Sequence, residues 1–128
     1  MKKVVFLDDS KTVLLTAQMA VEELVEKKII KFIGYENPLE LLEDVENGKL
    51  KYDLLITDIN MPQMNGLDVA KKLKSMPDFK RKPILALTTE NAKEKKALAK
   101  EIGLAGWITK PFDPKKLVMG IKRVLRIR

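Results

Sequence analysis

The sequence predicts an α/β domain in which helices cover both faces of a five-stranded parallel sheet, a three-layer doubly wound (βα)5 architecture. Three short runs are apolar without interruption, as is typical of parallel strands buried on both faces: residues 4–7, 54–56 and 84–87. Segments with helical periodicity lie between the runs, and the connections are short. Alternation of this kind favours a parallel sheet over separate blocks of strands and helices.

The remaining elements follow from their composition and from the residues at their ends. Residues 29–33 and 107–109 are mixed in polarity, as edge strands tend to be, and they complete the sheet. Five helices are expected, because capping residues, prolines and glycines bound five periodic segments. In chain order these helices begin after Ser10, begin at Asn37-Pro38, span 66–76 before Pro77, span 92–102 before Gly103, and begin at Asp113-Pro114.

Composition limits the chemistry that is open to the chain. At 128 residues it is the size of one domain, and we expect residues 1–128 to form it, with no separate output domain. Cysteine and histidine are absent, which excludes disulfides, zinc clusters, thiol nucleophiles and imidazole bases. Neither a signal peptide nor a membrane span is recognisable, so we expect a cytoplasmic protein without membrane insertion.

The positive charge is concentrated in the C-terminal third of the chain. Net charge is +7, and residues 91–128 carry 11 Lys and Arg against 3 Asp and Glu. Such a surface can attract an acidic protein, nucleic acid or anionic lipid. A well-solvated, lysine-rich face explains the same composition.

Three acidic residues follow two of the predicted central strands. Asp8 and Asp9 come after the first strand, and Asp58 follows the third by way of Thr57. The carboxyl ends of parallel strands converge on one crevice, and clustered carboxylates there are stabilised by a cation such as Mg2+. Taken singly, Asp8-Asp9 also fits an ordinary acidic helix start, and Asp58 a loop aspartate before a turn.

Two further polar side chains end the other strands of the predicted crevice. Thr88 ends the fourth strand, and Lys110 follows the fifth, immediately before Pro111. An ammonium and a hydroxyl can both bind phosphate oxygens, and the Lys110–Pro111 bond is a position where a cis peptide is plausible. Singly, a surface lysine in a turn and a threonine filling a strand position are the simpler interpretations.

Taken together, these residues have a familiar arrangement. Over essentially its whole length the chain resembles the receiver domain of two-component response regulators, most closely the single-domain, CheY-like kind. The residues that carry the resemblance are Asp8-Asp9, Asp58-Ile59-Asn60-Met61-Pro62 followed by Gly66, Thr88, and Lys110-Pro111-Phe112. The resemblance implies the flavodoxin-like strand order 2-1-3-4-5 and a stand-alone response regulator of a phosphorelay, with chemotaxis as one candidate pathway.

The resemblance also implies a role for each site residue. Asp58 would accept a phosphoryl group from a histidine kinase, a phosphotransfer protein or a small donor and form an aspartyl phosphate. Mg2+ would be held by Asp9, Asp58 and the main-chain carbonyl of Asn60, with Asp8 acting through water. Lys110 would neutralise the phosphoryl oxygens, and Thr88 would hydrogen-bond to one of them. The chain would then be a switch that acts on itself, not an enzyme with a separate substrate.

Signal output is expected on the surface formed by the fourth and fifth predicted helices, where a downstream protein would bind. Trp107 lies where the family usually has an aromatic that swings inward with Thr88; a core or surface aromatic at a sheet edge is the alternative. The apolar side of the fourth helix is expected to be Ala97, Leu98 and Ile102, a light anchor that suits a mobile element. We expect a monomer, and dimerisation on phosphorylation stays open.

Two residues near the predicted site are expected to tune the lifetime of the phosphoryl group. Glu90 matches a position that influences this lifetime in chemotaxis-type regulators, as does Asn60. Thr89 departs from the small Ala or Gly that is common beside the site, and its bulk could narrow access for a donor or water.

Two alternatives use the same residues differently. A phosphatase that forms an aspartyl phosphate needs a second acid two residues after its nucleophile, and this chain has Asn60 there. A nucleic-acid-binding domain could use the basic last helix, but the sequence contains no recognised nucleic-acid-binding motif. We therefore expect neither, and nucleic acid is not the predicted partner.

Overall fold

A computed structural model describes residues 1–88 and 93–127 and contains one five-stranded sheet in that part of the chain. All neighbouring strands are parallel, and their order is β2-β1-β3-β4-β5. The predicted fold class and strand order are therefore confirmed. The strands are β1 Lys2–Leu7, β2 Ile30–Tyr35, β3 Leu54–Asp58, β4 Ile84–Thr88 and β5 Gly106–Thr109.

The helices lie in the predicted periodic segments, but one predicted helix is divided into two. The first predicted helix is two helices, because the backbone at Val21 leaves helical geometry (φ −102°, ψ 8°) before the chain turns helical again. The fourth and fifth predicted helices are α5 and α6, and the predicted start of α5 at Ala92 lies outside the described residues. The helices are α1 Lys11–Ala20, α2 Glu22–Glu26, α3 Pro38–Glu46, α4 Gly66–Lys74, α5 Lys93–Ile102 and α6 Pro114–Leu125.

Four side chains cap helices that start beside the carboxyl edge of the sheet. Each accepts a hydrogen bond from a backbone N–H of the first helical turn, which fixes where the preceding strand-to-helix loop ends. Two of the four, Ser10 and Asn65, begin the helices that follow β1 and β3. The capping side chains are Ser10, Asn37, Asn65 and Asp113.

The core lies in two layers, one on each face of the sheet. Val5 and Leu7 of β1 contact the layer beneath α3 and α4, whereas Val4 and Phe6 contact the layer beneath α1 and α6. The central strands β3 and β4 are buried throughout, while β5 alternates between exposed and half-buried residues. Strand composition therefore distinguished central strands from the edge correctly.

The anchored side of α5 differs from the prediction. Ala97 and Leu98 are exposed, and the buried contact is made by Ala99, with Ile102 packed beside it. Positions 99 and 102 are three residues apart and share one face of a helix, so the apolar stripe begins one or two residues later than expected.

None of the helices in the described ranges is both long enough and apolar enough to span a bilayer.

Candidate functional site

The strand ends bring the predicted site residues to one edge of the sheet. Asp8 directly follows β1, Asp58 ends β3, Thr88 ends β4 and Lys110 directly follows β5. Asp58 is opposite Leu87 in the β3–β4 register, and Thr88 is opposite Thr109 in the β4–β5 register. The crevice expected at the carboxyl edge is therefore present, and it collects side chains that are up to 102 positions apart in sequence (8 to 110).

Lys110 is ion-paired with two of the acids at once. Its Nζ lies 2.6 Å from Asp8 Oδ2 and 3.1 Å from Asp58 Oδ1. Its backbone N–H donates to the Thr88 carbonyl over 2.8 Å, and the Lys110–Pro111 peptide bond is cis. Burial lowers the pKa of Lys110, but pairing with Asp8 and Asp58 outweighs burial, so the pKa lies above its ordinary value. The lysine is therefore a permanent positive charge in the crevice.

The three carboxylates form a compact oxygen cluster. One oxygen from each of Asp8, Asp9 and Asp58 lies within 4.8 Å of the others. Asp8 and Asp58 are buried, whereas Asp9 is exposed at the mouth of the site. Asp8 is held in place because its Oδ1 accepts the Ser10 backbone N–H over 2.9 Å.

The charge on Asp58 is only partly compensated. Burial raises the pKa of this carboxyl most, and repulsion from Asp8 raises it further. Lys110 lowers it through charge and hydrogen bonding, yet the net shift is upward. Lys110 therefore does not offset the combined effect of burial and of repulsion from Asp8 on this carboxyl.

The cluster fits a hard divalent cation. Its donors are carboxylate oxygens, which are the ligands Mg2+ prefers, and at least one side of the site is open to solvent at Asp9. Asp8 Oδ2 is also buried; apart from its ion pair with the Lys110 ammonium, it accepts no well-directed hydrogen bond from any described residue. A cation at this position would give that oxygen a second partner beside the Lys110 ammonium.

Two backbone-positioning features of the site were not predicted. The Thr57 hydroxyl donates to the Asp58 carbonyl oxygen over 2.9 Å. Gly66 packs so closely behind Asp58 that a Cβ there would lie 1.9 Å from the same oxygen, and its N–H donates to the Ile59 carbonyl over 2.8 Å. An Asn-Gly pair such as Asn65-Gly66 is a turn signal in a sequence, but a turn does not reveal what the glycine touches.

The remaining predicted residues take varied positions. Thr88 is buried at the end of β4, and Asn60 is exposed just beyond Asp58. The Trp107 side chain is 41% exposed, with Lys96 Nζ 4.7 Å from the ring centroid. Its conformation here is that of a surface aromatic at a sheet edge, stabilised by a cation over the ring face. Thr89 and Glu90 lie outside the described residues.

Comparison with known proteins identifies this arrangement. The sequence matches the response regulator receiver domain family over residues 4–122. The chain belongs to this family. Receiver domains bind Mg2+ in an acidic pocket, interact with a histidine kinase and act on downstream targets, and they are signalling switches. The family does not favour the phosphatase or nucleic-acid-binding alternatives.

Individual relatives resemble the chain over nearly its full length. It is 36% identical to the chemotaxis protein CheY1 of Helicobacter pylori, and the alignment covers 96% of each protein. It is 32% identical to a CheY homolog of Campylobacter jejuni, with 96% of this chain and 92% of the relative covered. A structure of CheY4 from Vibrio cholerae superposes with a TM-score of 0.85 at 32% identity, covering 97% of this chain and 98% of that one.

Proposed function

We propose that residues 1–128 form one receiver domain that works as a stand-alone chemotaxis response regulator, in which Asp58 is the phospho-acceptor. The observation that carries the proposal is the pair of contacts from Lys110 Nζ to Asp8 and Asp58, 2.6 and 3.1 Å long, beside a three-carboxylate cluster. A nucleophile, a fixed cation and an oxygen cluster for a metal meet at one point. The relatives named above are chemotaxis proteins and support that pathway.

The residues divide into a metal side and a phosphate side. Asp9, Asp58 and the Asn60 main-chain carbonyl would hold Mg2+, with Asp8 contributing through water, because oxygen ligands and retained waters are typical of this ion. When bound, Mg2+ neutralises charge on the transferred phosphoryl oxygens. Lys110 and Thr88 would contact those oxygens from the opposite side, which their positions at the ends of β4 and β5 support.

Transfer requires an ionised Asp58 facing the donor. A carboxylate oxygen of Asp58 attacks phosphorus, a P–O bond forms, and the P–N bond to the donor histidine breaks, with the electron pair leaving on the imidazole. Lys110 supports this step in two ways: it lowers the pKa of Asp58, and its ammonium lies 3.1 Å from the nucleophile, within reach of a phosphoryl oxygen. The chain would thus transfer the phosphoryl group to its own Asp58 and later remove it by autodephosphorylation.

Output is proposed on the face formed by α5, β5 and α6. Phosphorylation adds nearly two negative charges beside Thr88, and a shift of that residue would be passed to Trp107 in β5. The face combines exposed apolar side chains with basic ones, which suits an acidic protein partner. Its main members are Lys96, Trp107, Lys116, Met119 and Arg123. The monomeric state and the cytoplasmic location remain predictions.

The acceptor is tested by mass spectrometry of the whole chain after incubation with Mg2+ and acetyl phosphate. We expect a mass gain of one phosphoryl group that is lost in Asp58→Asn and without Mg2+. Asp68→Asn is the matched control, because Asp68 is an exposed aspartate in the first turn of α4, and it should leave the gain unchanged. Absence of phosphorylation from both a cognate kinase and small donors would contradict the proposal.

The output face is tested by comparing partners captured with and without beryllofluoride, a phosphoryl mimic. We expect a downstream partner to be retained only with the mimic. Trp107→Ala or Lys116→Glu should abolish its binding. Equal capture by the mimic-free chain would contradict the switch.

A further inference from the structure

A second cleft lies at the amino edge of the sheet, opposite the phosphoryl site. It has a volume of about 530 Å3, within the roughly 300–1,000 Å3 typical of small-molecule sites. Val45 and Gly48 at the end of α3 form one side of the cleft, and Phe79, in the segment before β4, forms another. Tyr52, two residues before β3, lies between these walls. Asp58 ends the same strand, so about 13 Å of β3 separates the two sites.

A stacked aromatic pair lies at the base of the cleft. The rings of Tyr52 and Phe79 are stacked, with centroids 5.1 Å apart and planes inclined by 20°. Val45 and Leu50 extend the apolar surface beside them. Tyr52 and Phe79 are 2% and 8% exposed, so a planar apolar group would pack against the part of this pair that borders the cleft.

The Tyr52 hydroxyl is a donor without an acceptor. Only 2% of the Tyr52 residue surface is exposed, and its hydroxyl oxygen has no hydrogen-bond partner among the described residues. Burial raises the pKa of this hydroxyl, so it stays protonated at neutral pH and its O–H donor is satisfied by an acceptor. Buried polar groups in folded proteins are usually paired, so an unpaired one beside a cleft indicates a missing partner.

Charge at the rim indicates that the acceptor is an anion. Three lysines line the cleft, Lys3, Lys51 and Lys82, against two aspartates. One of these acids, Asp53, is already engaged: it accepts the Lys3 backbone N–H over 2.8 Å, and Lys82 Nζ lies 3.6 Å from it. Asp78 is exposed. The remaining ammonium charge therefore favours a ligand that carries a negative group.

We propose that this cleft binds a small aromatic carboxylate, whose ring packs on Tyr52 and Phe79 and whose carboxylate accepts the Tyr52 hydroxyl beside the lysines. The hydroxyl is covered in the ligand-free chain, so an acceptor reaches it after side chains that line the cleft shift. Lysines have the long, flexible stems that allow such a movement. The proposal does not depend on phosphorylation of Asp58.

Sodium benzoate titrated into the whole isotope-labelled chain tests the site by amide chemical shifts. We expect saturable shifts at Gly48, Tyr52 and Phe79. Benzyl alcohol has the ring without the charge, and acetate has the charge without the ring, so both should bind at least about tenfold more weakly. Shifts that do not saturate, or equal binding of benzyl alcohol, would overturn the proposal.

Two tyrosine variants separate the hydroxyl from the ring. Tyr52→Phe should weaken benzoate binding about tenfold or more, as expected for loss of one hydrogen bond to a charged group. Its fold should be retained, because the deleted hydroxyl has no partner to lose. Tyr35→Phe is the matched control: that hydroxyl donates to Asp44 over 2.7 Å elsewhere in the fold, and its loss should leave benzoate affinity unchanged.

Asp58→Asn distinguishes failure of this proposal from failure of the proposed function. The variant should bind benzoate as the unaltered chain does. Unaltered affinity in Tyr52→Phe would refute the cleft assignment whether or not Asp58 is phosphorylated.

Discussion

Replacing Gly66 with alanine should displace Asp58, the proposed phospho-acceptor, without touching its side chain. Gly66 begins α4, and an added Cβ would lie 1.9 Å from the Asp58 carbonyl oxygen and 2.9 Å from its carbonyl carbon. Both atoms belong to the backbone at the end of a buried strand, so no side-chain rotation can relieve the contact. The first turn of α4 or the end of β3 must move instead.

The size of the displacement follows from the geometry. Real Cβ contacts are essentially never shorter than 3.0 Å, so the 1.9 Å contact must lengthen by at least 1.1 Å. Misplacement of a reacting group by about 1 Å can reduce a rate about 100-fold. Overpacking of this kind also costs about 1–3 kcal/mol of folding free energy. We expect Gly66→Ala to lose both stability and phosphorylation rate.

The rate is measured as the time course of phosphoryl incorporation from acetyl phosphate, and stability as the midpoint of urea unfolding. The matched control is Gly120→Ala in α6, where the new Cβ would meet Ile108 Cδ1 at an ordinary 3.7 Å. Alanine has the better helix propensity, so this variant should gain about 0.5–1 kcal/mol and phosphorylate normally. A Gly66→Ala chain with unchanged rate and midpoint would refute the proposed role of this close approach.

Two further predictions concern stability. Asp58→Asn should raise the free energy of unfolding at pH 7, because the folded chain raises the pKa of Asp58 and thereby disfavours its charged form. This stability difference between the variant and the unaltered chain should shrink as pH falls through the raised pKa of Asp58. Urea unfolding of both chains at a series of pH values measures it, and a difference that stays constant with pH would disprove the explanation. Lys28→Gly should stabilise by about 1 kcal/mol, because Lys28 lies two residues after the end of α2 in a left-handed conformation with φ 58°. Gly48→Lys, at φ 74° with open space around it, is the reverse control and should lower the unfolding midpoint.

The sequence was sufficient for the fold because its strongest signals were local. Uninterrupted apolar runs located β3 and β4, and capping residues located the starts of α1, α3 and α6. The sequence signals were weaker where tertiary contacts decide the bounds of an element. Lys2, for example, belongs to β1 although it is exposed, because its strand partner is Ile30. The break at Val21 was missed for a related reason, since apolar periodicity continues through it.

The features of the site also differ in whether local sequence or tertiary packing determines them. Order along the chain was enough to place Asp8, Asp58, Thr88 and Lys110 at one edge, because parallel strands end together. The way Lys110 contacts two acids at once depends on side-chain geometry across three strands, which a linear pattern does not encode. The close approach of Gly66 to Asp58 is a backbone contact between a helix and a strand, and only the packed structure shows it.

Charge balance predicts that this crevice binds a second cation. Asp8, Asp9 and Asp58 carry three negative charges when ionised, and Lys110 supplies one positive charge, so two remain uncompensated. Burial raises the pKa of Asp58 most, and repulsion from Asp8 adds to it. A divalent ion would bring the balance to zero. Phosphorylation then replaces one carboxylate charge with nearly two on the phosphoryl group, concentrated on oxygens near Lys110 and Thr88. The ammonium should turn from Asp8 toward that new charge, so the first structural consequence of phosphorylation would be the loss of the ion pair between Lys110 and Asp8.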